Sequence, residues 1–227
     1  MDYKDFAVGI AKEAGQIALK HFKAGVVREW KSNDTPITEA DREINQFVID
    51  EIQKAFPDHS IVAEEGSAEK KSDYVWVCDP IDGTTPFSAT IPTFAFSLAL
   101  TKHGESVLGV ALDPFLERLM VAEKGKGAFM GKEKLQVSNT KTLKNAYMCL
   151  DTDERLIGLR EILIKEHWAF TLSPYSGVYG GMLVALGQTV AEIFEYPNPW
   201  DAAAIKIIVE EAGGKVTDIL GNEQRYD

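Results

Sequence analysis

The feature that most constrains the fold is a short apolar run that stops at two acids, from Trp76 to Thr85 in the order WVCDPIDGTT. Apolar, β-branched and aromatic residues from Tyr74 to Cys78 predict a buried strand. Because Pro80 cannot donate a backbone hydrogen bond to a neighbouring strand, we expect regular pairing to end there. The strand would then deliver Asp79 and Asp82 to irregular backbone.

The two acids of this run are spaced for cation binding. Asp79 and Asp82 lie three residues apart with the Ile81 carbonyl between them, and a hard divalent cation such as Mg²⁺ takes such oxygen ligands. Gly83 lets the backbone approach a ligand, and the amides of Gly83 and Thr84 would face a phosphate if a helical turn begins here. The same Asp-x-x-Asp-Gly pattern is also typical of an Asx turn that closes a strand, so by itself it leaves both interpretations open.

Composition narrows the class of protein. The chain has 227 residues, is 45% hydrophobic and carries a net charge of −11, which allows one large or two small globular domains and argues against a nucleic-acid or anionic-membrane partner. Cys78 and Cys149 both stand among apolar residues, which favours a reducing compartment. No signal peptide and no run of about 18 apolar residues is present, so we expect a cytoplasmic protein.

A second apolar run also ends in acids. Ile61 to Ala63 predicts a short strand that is followed by Glu64 and Glu65. Adjacent acids after a strand usually form a solvated turn. If this strand lies beside Tyr74–Cys78, however, Glu64 reaches Asp79 and Asp82, and like charges gathered in this way repel one another unless a cation lies among them.

Two further acids stand at predicted helix starts. Thr38-Glu39-Ala40-Asp41 reads as the beginning of a helix that stops at Pro57, and Asp201 falls in the first turn of a helix that ends at Gly213. A favourable interaction with the helix dipole would by itself account for each acid. A helix start that faces the acidic cluster would add Asp201 to it.

The remaining pattern gives the fold class. Further helices are expected over Asp5–Phe22, Leu156–Glu166 and Ser176–Gly187, and further strands over 93–100, 106–112, 118–122, Leu135–Ser138, Ala146–Leu150, Thr189–Glu195 and Lys215–Asp218. The order predicts an α/β protein of the α+β type, a layered α-β-α-β sandwich with mixed and antiparallel sheets. We expect one unit over 1–227 with a soft boundary near Ser138, between a metal-binding α+β half (1–138) and an α/β half (139–227).

Three separated signatures together carry a family resemblance. They are Glu64-Glu65, the segment from Asp79 to Thr85, and Trp200-Asp201-Ala-Ala with Glu211-Ala-Gly-Gly. In this order and at this approximate spacing they resemble the inositol monophosphatase family of Mg²⁺-dependent phosphomonoesterases, from the first helix to Asp218. The resemblance implies the layered fold of inositol monophosphatases and sugar phosphatases.

The resemblance also implies roles for individual residues. The metal ligands would be Glu64, Asp79, the Ile81 carbonyl, Asp82 and Asp201. The catalytic residues would be Glu64, Thr84 and Asp41, and the substrate contacts Asp82, Gly83, Thr84, Ser176, Gly177 and Glu195.

The implied mechanism uses two or three Mg²⁺ ions and no protein nucleophile. One ion, held by Glu64, Asp79 and the Ile81 carbonyl, would carry the attacking water, and Glu64 with the Thr84–Asp41 pair would accept its proton. A second ion, held by Asp79, Asp82 and Asp201, would stabilise the leaving alkoxide. The absence of a Cys/His or Ser/His constellation agrees with this chemistry.

The substrate stays open between several phosphate esters. The Asp-Gly-Thr-Thr form favours an inositol monophosphate, with fructose 1,6-bisphosphate or another sugar phosphate as the alternative and a 3′-phosphoadenosine nucleotide or histidinol phosphate after that. Pro86-Phe87 and Ser88-Ala89 replace the family's usual Asn-Phe and His-Gly beside the site. A catalytically silent binding protein on the same fold is disfavoured because every implied metal ligand is retained, and a Ca²⁺ module is disfavoured because no EF-hand loop occurs.

The chain after Asp218 is shorter than the resemblance leads us to expect. The family's usual final strand and helix are missing, which indicates either a naturally short member or an incomplete sequence. A missing edge would expose a sheet and favour dimerisation or instability. The resemblance further implies a homodimer and inhibition by Li⁺ through the second metal position.

Overall fold

The computed structural model describes residues 2–32, 35–150, 156–165, 169–194 and 198–226. Within these ranges the chain forms six helices and twelve strands. The helices are α1 (Tyr3–Ala24), α2 (Glu39–Ala55), α3 (Thr84–Ser88), α4 (Ile157–Lys165), α5 (Gly177–Ala185) and α6 (Pro199–Glu211). The strands are β1 (Arg28–Trp30), β2 (Pro36–Thr38), β3 (Ser60–Ala63), β4 (Tyr74–Asp82), β5 (Ala95–Lys102), β6 (Glu105–Asp113), β7 (Arg118–Glu123), β8 (Gly127–Met130), β9 (Glu133–Lys134), β10 (Ala146–Leu150), β11 (Ala169–Leu172) and β12 (Glu192–Ile193).

A seven-stranded sheet in the order β3-β4-β5-β6-β7-β8-β9 forms the centre of the molecule. Strands β3 and β4 are parallel, and every other neighbouring pair is antiparallel. Helices α1 and α2 pack on one face through a core that includes Ile44, Trp76 and Leu98. Helices α5 and α6 pack on the other face through Met182 and Ile208. Because both faces are covered, β5 is buried along almost its whole length.

A second, three-stranded sheet in the order β11-β10-β12 is parallel throughout. Helix α4 packs against it through Leu163, which belongs to the same buried cluster as Met148 and Ala169, and α5 contacts β12. The layers therefore run from α1 and α2 through the large sheet and α5 and α6 to the small sheet. The predicted α-β-α-β sandwich with mixed sheets is confirmed, and α4 adds a further helix.

The prediction of a strand over Leu135–Ser138 is wrong. The Leu135 N–H donates to the Ala128 carbonyl (2.8 Å) and the Val137 N–H to the Ala212 carbonyl (3.0 Å). The segment thus links β8 to the end of α6 and does not lie along one strand.

The two later strand predictions also need correction. Lys215–Asp218 is irregular, because the Asp218 carboxylate accepts hydrogen bonds from the Leu220 and Asn222 amides (2.8 Å each) and closes a turn. The strand expected over Thr189–Glu195 is reduced to β12 in the described residues.

The boundary expected near Ser138 falls between β9 of the large sheet and β10 of the small one. The division into halves 1–138 and 139–227 stays a prediction. In the described parts of the chain, no helix is both long enough and apolar enough to cross a membrane.

Candidate active site

The site is built around the end of β4. Pairing with β5 runs from Tyr74 to Asp79, shifts register, and resumes at Asp82 opposite Ala95. Regular pairing therefore ends before Pro80 as expected, but the strand itself does not end there, because it continues through a bulge to Asp82. A bulge bends its strand and turns side chains in new directions, and here Asp79 and Asp82 lie on either side of it.

Gly83 follows directly and lets the chain leave the sheet. Its φ is +88°, in the left-handed region, and an added Cβ would lie 2.9 Å from both the Ser176 Cβ and the Thr93 carbonyl oxygen. Glycine alone tolerates both the dihedral angle and the space. Helix α3 then begins at Thr84, so the helical turn expected after the acidic run is present.

Three carboxylates converge at this point. Asp79, Asp82 and Asp201 each offer an oxygen, and these oxygens lie within 4.8 Å of one another. Asp79 and Asp82 come from the end of β4 and are 2% and 9% exposed. Asp201 comes from the first turn of α6, where its Oδ2 accepts a hydrogen bond from the Asn198 N–H (2.8 Å). Asp201 therefore caps its helix and also faces the cluster.

The cluster is electrostatically frustrated without a cation. Burial raises the pKa of Asp79 well above its ordinary value, and the charges of Glu64, Asp82 and Asp201 raise it further. Burial and the charge of Asp201 raise the pKa of Asp82 to about 7, and burial raises that of Asp201 to about 6. Asp79 Oδ1 is a buried atom with no hydrogen-bond partner among the described residues. An unpartnered buried carboxylate oxygen among like charges fits a divalent cation.

Glu64 lies next to this cluster and is held by a lysine. Its N–H donates to the Cys78 carbonyl (3.3 Å), which extends the parallel pairing of β3 with β4. Its carboxylate forms an ion pair with Lys31 Nζ (2.9 Å), and the same ammonium also contacts Glu65. After burial, the charge of Glu64 does most to raise the pKa of Asp79, although the Glu64 carboxylate is not one of the three that converge. Sequence reasoning missed Lys31, whose only signal is its place in the polar loop before β2.

Thr84 connects the end of β4 to α2. Its hydroxyl lies 3.1 Å from the Ile81 carbonyl and 3.3 Å from Asp41 Oδ1. The other Asp41 oxygen accepts a hydrogen bond from the Thr38 N–H (2.8 Å). Burial raises the pKa of Asp41 to about 6, against the hydrogen bonds from Thr38.

Ser176 and Gly177 begin α5 on the other side of the cluster. The Ser176 hydroxyl contacts the Asp82 carboxylate, and the Val178 N–H donates to Asp82 Oδ2 (2.8 Å). Helix α5 therefore fixes the orientation of Asp82. Residue Glu195, the remaining expected substrate contact, lies outside the described residues.

A cavity of about 210 Å³ opens beside the cluster. Its walls come from the acidic cluster, the start of α5 and the small sheet, and they include Asp82, Asp201, Ser176, Gly177, Glu192 and Phe194. Sequence reasoning missed Glu192, because a two-residue strand gives no periodic signal.

Neither cysteine is available as a nucleophile. Both thiols are free and buried, and burial raises the pKa of Cys78 well above its ordinary value and that of Cys149 to about 12. Both therefore remain protonated near neutral pH, and the thiolate is the reactive form.

The chain is similar to known phosphatases. A model of the inositol monophosphatase family matches residues 2–227. A fructose-1,6-bisphosphatase/inositol-1-monophosphatase of Thermotoga maritima is 36% identical over 227 residues, which cover 98% of this chain and 87% of the relative. A histidinol-phosphatase of Chlorobaculum parvum is 33% identical over 229 residues, which cover 97% of this chain and 87% of the relative. The solved structure of a Thermotoga maritima IMPase superposes with a TM-score of 0.90 at 35% identity, covering 99% of this chain and 89% of that one. The chain thus belongs to the inositol monophosphatase family, whose members hydrolyse phosphomonoesters.

Proposed function

We propose that this protein hydrolyses a small polyol or sugar phosphomonoester, foremost an inositol monophosphate, with Mg²⁺ as cofactor and water as the nucleophile. The observation that carries the proposal is the convergence of Asp79, Asp82 and Asp201, with a buried Asp79 oxygen that has no partner among the described residues. A phosphate ester repels anionic carboxylates, so an acidic site of this kind binds it only through cations.

Two sets of oxygens are assigned to the metal. Asp79, Asp82 and Asp201 would hold one Mg²⁺ ion. Glu64, Asp79 and the Ile81 carbonyl would hold a second. A third ion is not assigned to any residue. When bound, the ions neutralise the phosphoryl oxygens and acidify a water molecule.

The proton of the attacking water passes to the chain at Thr84. Thr84 Oγ1 accepts it while the threonine's own proton moves to Asp41 Oδ1, 3.3 Å away. With a pKa of about 6, Asp41 is mostly ionised above neutral pH and therefore ready to accept. A general base is most effective when its pKa lies near the working pH, and Glu64 is the second acceptor in this proposal.

The substrate is held between the two sides of the cluster. We assign the phosphate to the backbone of Gly83 and Thr84, and the leaving group to the cavity bordered by Ser176 and Gly177. Glu195 stays a proposed contact to the substrate hydroxyls. Asp82 is kept in place by Ser176 and Val178, so its role requires an intact α5.

The proposal extends to assembly and location. We infer a homodimer that works in the cytoplasm, where the free, buried Cys78 and Cys149 stay reduced. Light scattering on the purified protein is expected to give twice the chain mass of 25.1 kDa. A monomeric mass at micromolar concentration would contradict the proposed dimer but would not affect the proposed hydrolysis.

The test of function is phosphate release with Mg²⁺ titrated. Inositol 1-phosphate, fructose 1,6-bisphosphate, histidinol phosphate and 3′-phosphoadenosine 5′-phosphate serve as parallel substrates. We expect turnover that EDTA removes, that Asp82→Asn reduces by at least a hundredfold, and that the exposed control Asp58→Asn retains. No turnover of any ester by a protein that still binds Mg²⁺ would overturn the proposal.

A further inference from the structure

We infer that Tyr175 provides an aromatic surface for the leaving group and makes the enzyme prefer phosphate esters of cyclic polyols or sugars to those of open-chain alcohols. The inference rests on the proposed function of the same site. Tyr175 is distinct from the residues assigned above to metal, phosphate or proton transfer. It directly precedes Ser176 and lies at the border of the cavity assigned to the leaving group.

The cavity beside the cluster has both acidic and apolar lining residues. Its apolar lining includes Leu150, Pro174, Tyr175 and Phe194. A pocket of this mixed kind holds a ligand by apolar contact and orients it through a few polar groups. The cavity volume of about 210 Å³ lies below the roughly 300–1,000 Å³ of pockets for drug-sized ligands. It therefore suits a leaving group that consists of one small ring.

Tyr175 is the aromatic residue of this lining whose side chain is free for a ligand. The ring of Phe194 already lies against α5, 3.4 Å from where a Cβ on Gly177 would be. Tyr175, by contrast, is 56% exposed. Among the described residues, no side chain hydrogen-bonds to its hydroxyl and no ring stacks on it. Its aromatic face is therefore available to a molecule that enters the cavity.

The backbone holds Tyr175 in a conformation that a bulky side chain disfavours. Its φ is +57°, in the left-handed region. On one side of it, Ser173 Oγ donates to the Leu150 carbonyl (2.7 Å). On the other side, the Ser176 hydroxyl contacts the Asp82 carboxylate. Glycine or asparagine would fit this backbone with less strain, so the backbone itself does not call for tyrosine. Residues held in such conformations cluster at ligand-binding sites.

An aromatic surface at this place distinguishes cyclic from open-chain leaving groups. The face of an aromatic ring carries negative potential, and the C–H groups of a polyol ring are polarised positively by the neighbouring oxygens. A six-membered ring presents several such C–H groups on one face, whereas an open chain loses torsional freedom when it does so. Stacking on Tyr175 therefore adds binding for a cyclic ester, while the phosphate end binds both kinds of ester alike.

The experiment compares two esters of equal charge within each variant. The kcat/KM of inositol 1-phosphate is divided by that of glycerol 2-phosphate, with Mg²⁺ saturating, so that the contributions of the metal and the phosphate cancel. In Tyr175→Ala we expect this ratio to fall about tenfold. The fall should come from a higher KM for the inositol ester with kcat little changed, because the stacking contact is the same in the ground state and the transition state.

Two further variants at the same position separate the ring from the backbone. Tyr175→Phe keeps the aromatic face, so its ratio should stay within twofold of wild type. Tyr175→Asn removes the ring but suits a positive φ. We therefore expect Tyr175→Asn to melt no lower than wild type and to show the same fall in the ratio as Tyr175→Ala. A purely structural role for Tyr175 predicts an intact ratio in Tyr175→Asn.

Tyr147→Ala is the matched control. Tyr147 in β10 is exposed to a similar degree as Tyr175, but it is not among the described residues that line the cavity. Its replacement removes an exposed aromatic ring of the same kind, so the ratio in Tyr147→Ala should equal that of wild type.

The outcomes separate this inference from the proposed function. Turnover of either ester by the wild type supports the function, and the ratios then decide the role of Tyr175. If the wild type turns over no ester, the function fails. The ratio of binding constants for the same two esters, measured by calorimetry with Ca²⁺ in place of Mg²⁺, then carries the test. Ratios within twofold of wild type in both Tyr175→Ala and Tyr175→Asn overturn the inference, as does an equal fall in Tyr147→Ala or the absence of binding of either ester.

Discussion

Replacing Asp82 by asparagine is expected to stabilise the metal-free protein while it abolishes activity. The pKa of Asp82 is about 7 in the folded chain against 3.8 for an ordinary aspartate, so ionised Asp82 destabilises the fold by about 4 kcal/mol at pH 8. Asparagine keeps the acceptor for Ser176 and Val178 but removes the charge. Allowing for the cost of the buried amide, we expect a gain of about 2 kcal/mol, or roughly 4–8 °C in Tm.

The pH dependence follows from the direction of the pKa shift. An acid whose pKa is raised on folding destabilises the protein most above its folded pKa, and the penalty disappears as pH falls towards the unfolded value. For Asp82 the penalty is full above pH about 7 and falls below about 1 kcal/mol near pH 4. The advantage of Asp82→Asn should therefore be large at pH 8 and small at pH 4.

Thermal melts in EDTA, with and without excess Mg²⁺, provide the assay. Mg²⁺ at a hundred times its Kd should stabilise the wild type by about 2.7 kcal/mol and Asp82→Asn by much less. Asp113→Asn is the contrasting control, because Asp113 is buried and paired with Arg118 (2.8 Å), and its neutralisation should lower Tm at both pH values. An Asp82→Asn protein that melts no higher than wild type at pH 8 in EDTA refutes the reasoning.

Three further substitutions probe the site. Thr84→Ala should lower kcat about a hundredfold, because the proton path to Asp41 is lost. The Mg²⁺ affinity measured by calorimetry should stay unchanged. A hundredfold loss of Mg²⁺ affinity in this variant would contradict a role of Thr84 in proton transfer. Lys31→Met should tighten Mg²⁺ binding about tenfold, because the ammonium that now pairs with Glu64 competes with the metal, and an unchanged Kd contradicts this competition. Gly83→Ala should lower stability by about 1–3 kcal/mol because its φ is +88°, and a urea titration that gives no loss contradicts the strain.

The sequence located the acids of the site because each follows a recognisable boundary. Asp79 and Asp82 come after an apolar run, and Asp41 and Asp201 fall at helix starts marked by capping residues. These signals are local in the sequence, so they can be recognised without knowledge of the tertiary packing. The β4 bulge is different, because a proline marks where pairing is disturbed but not whether the neighbouring strand resumes it.

Contacts between distant segments left no such signal. Lys31, which directly follows β1, meets Glu64 at the end of β3, and nothing in the residues around Lys31 specifies that partner. The carboxylate of Glu192 meets Gly180 only because β12 pairs with β10 beneath α5. Glycines in a helix interior indicate a close approach, but they do not identify the group that approaches.

Helices α2 and α6 begin at the site with the same local design, and this design makes the capping role of Asp41 and Asp201 compatible with the functional role proposed for each. Each aspartate is the third residue of its helix and forms a capping box with the residue before the helix, Thr38 or Asn198. In each, one oxygen accepts the backbone N–H of that capping residue (2.8 Å). Asp41 turns its other oxygen to Thr84, and an Asp201 oxygen lies among the converging carboxylates.

The capping bond fixes the aspartate rotamer, so helix formation itself orients the site. Asp201→Glu keeps the charge but lengthens the side chain, which cannot fill both positions. We therefore expect it to lose Mg²⁺ affinity by about tenfold or more while α6 stays folded by circular dichroism. Undiminished Mg²⁺ affinity in that variant would show that the capping bond does not determine where the carboxylate points.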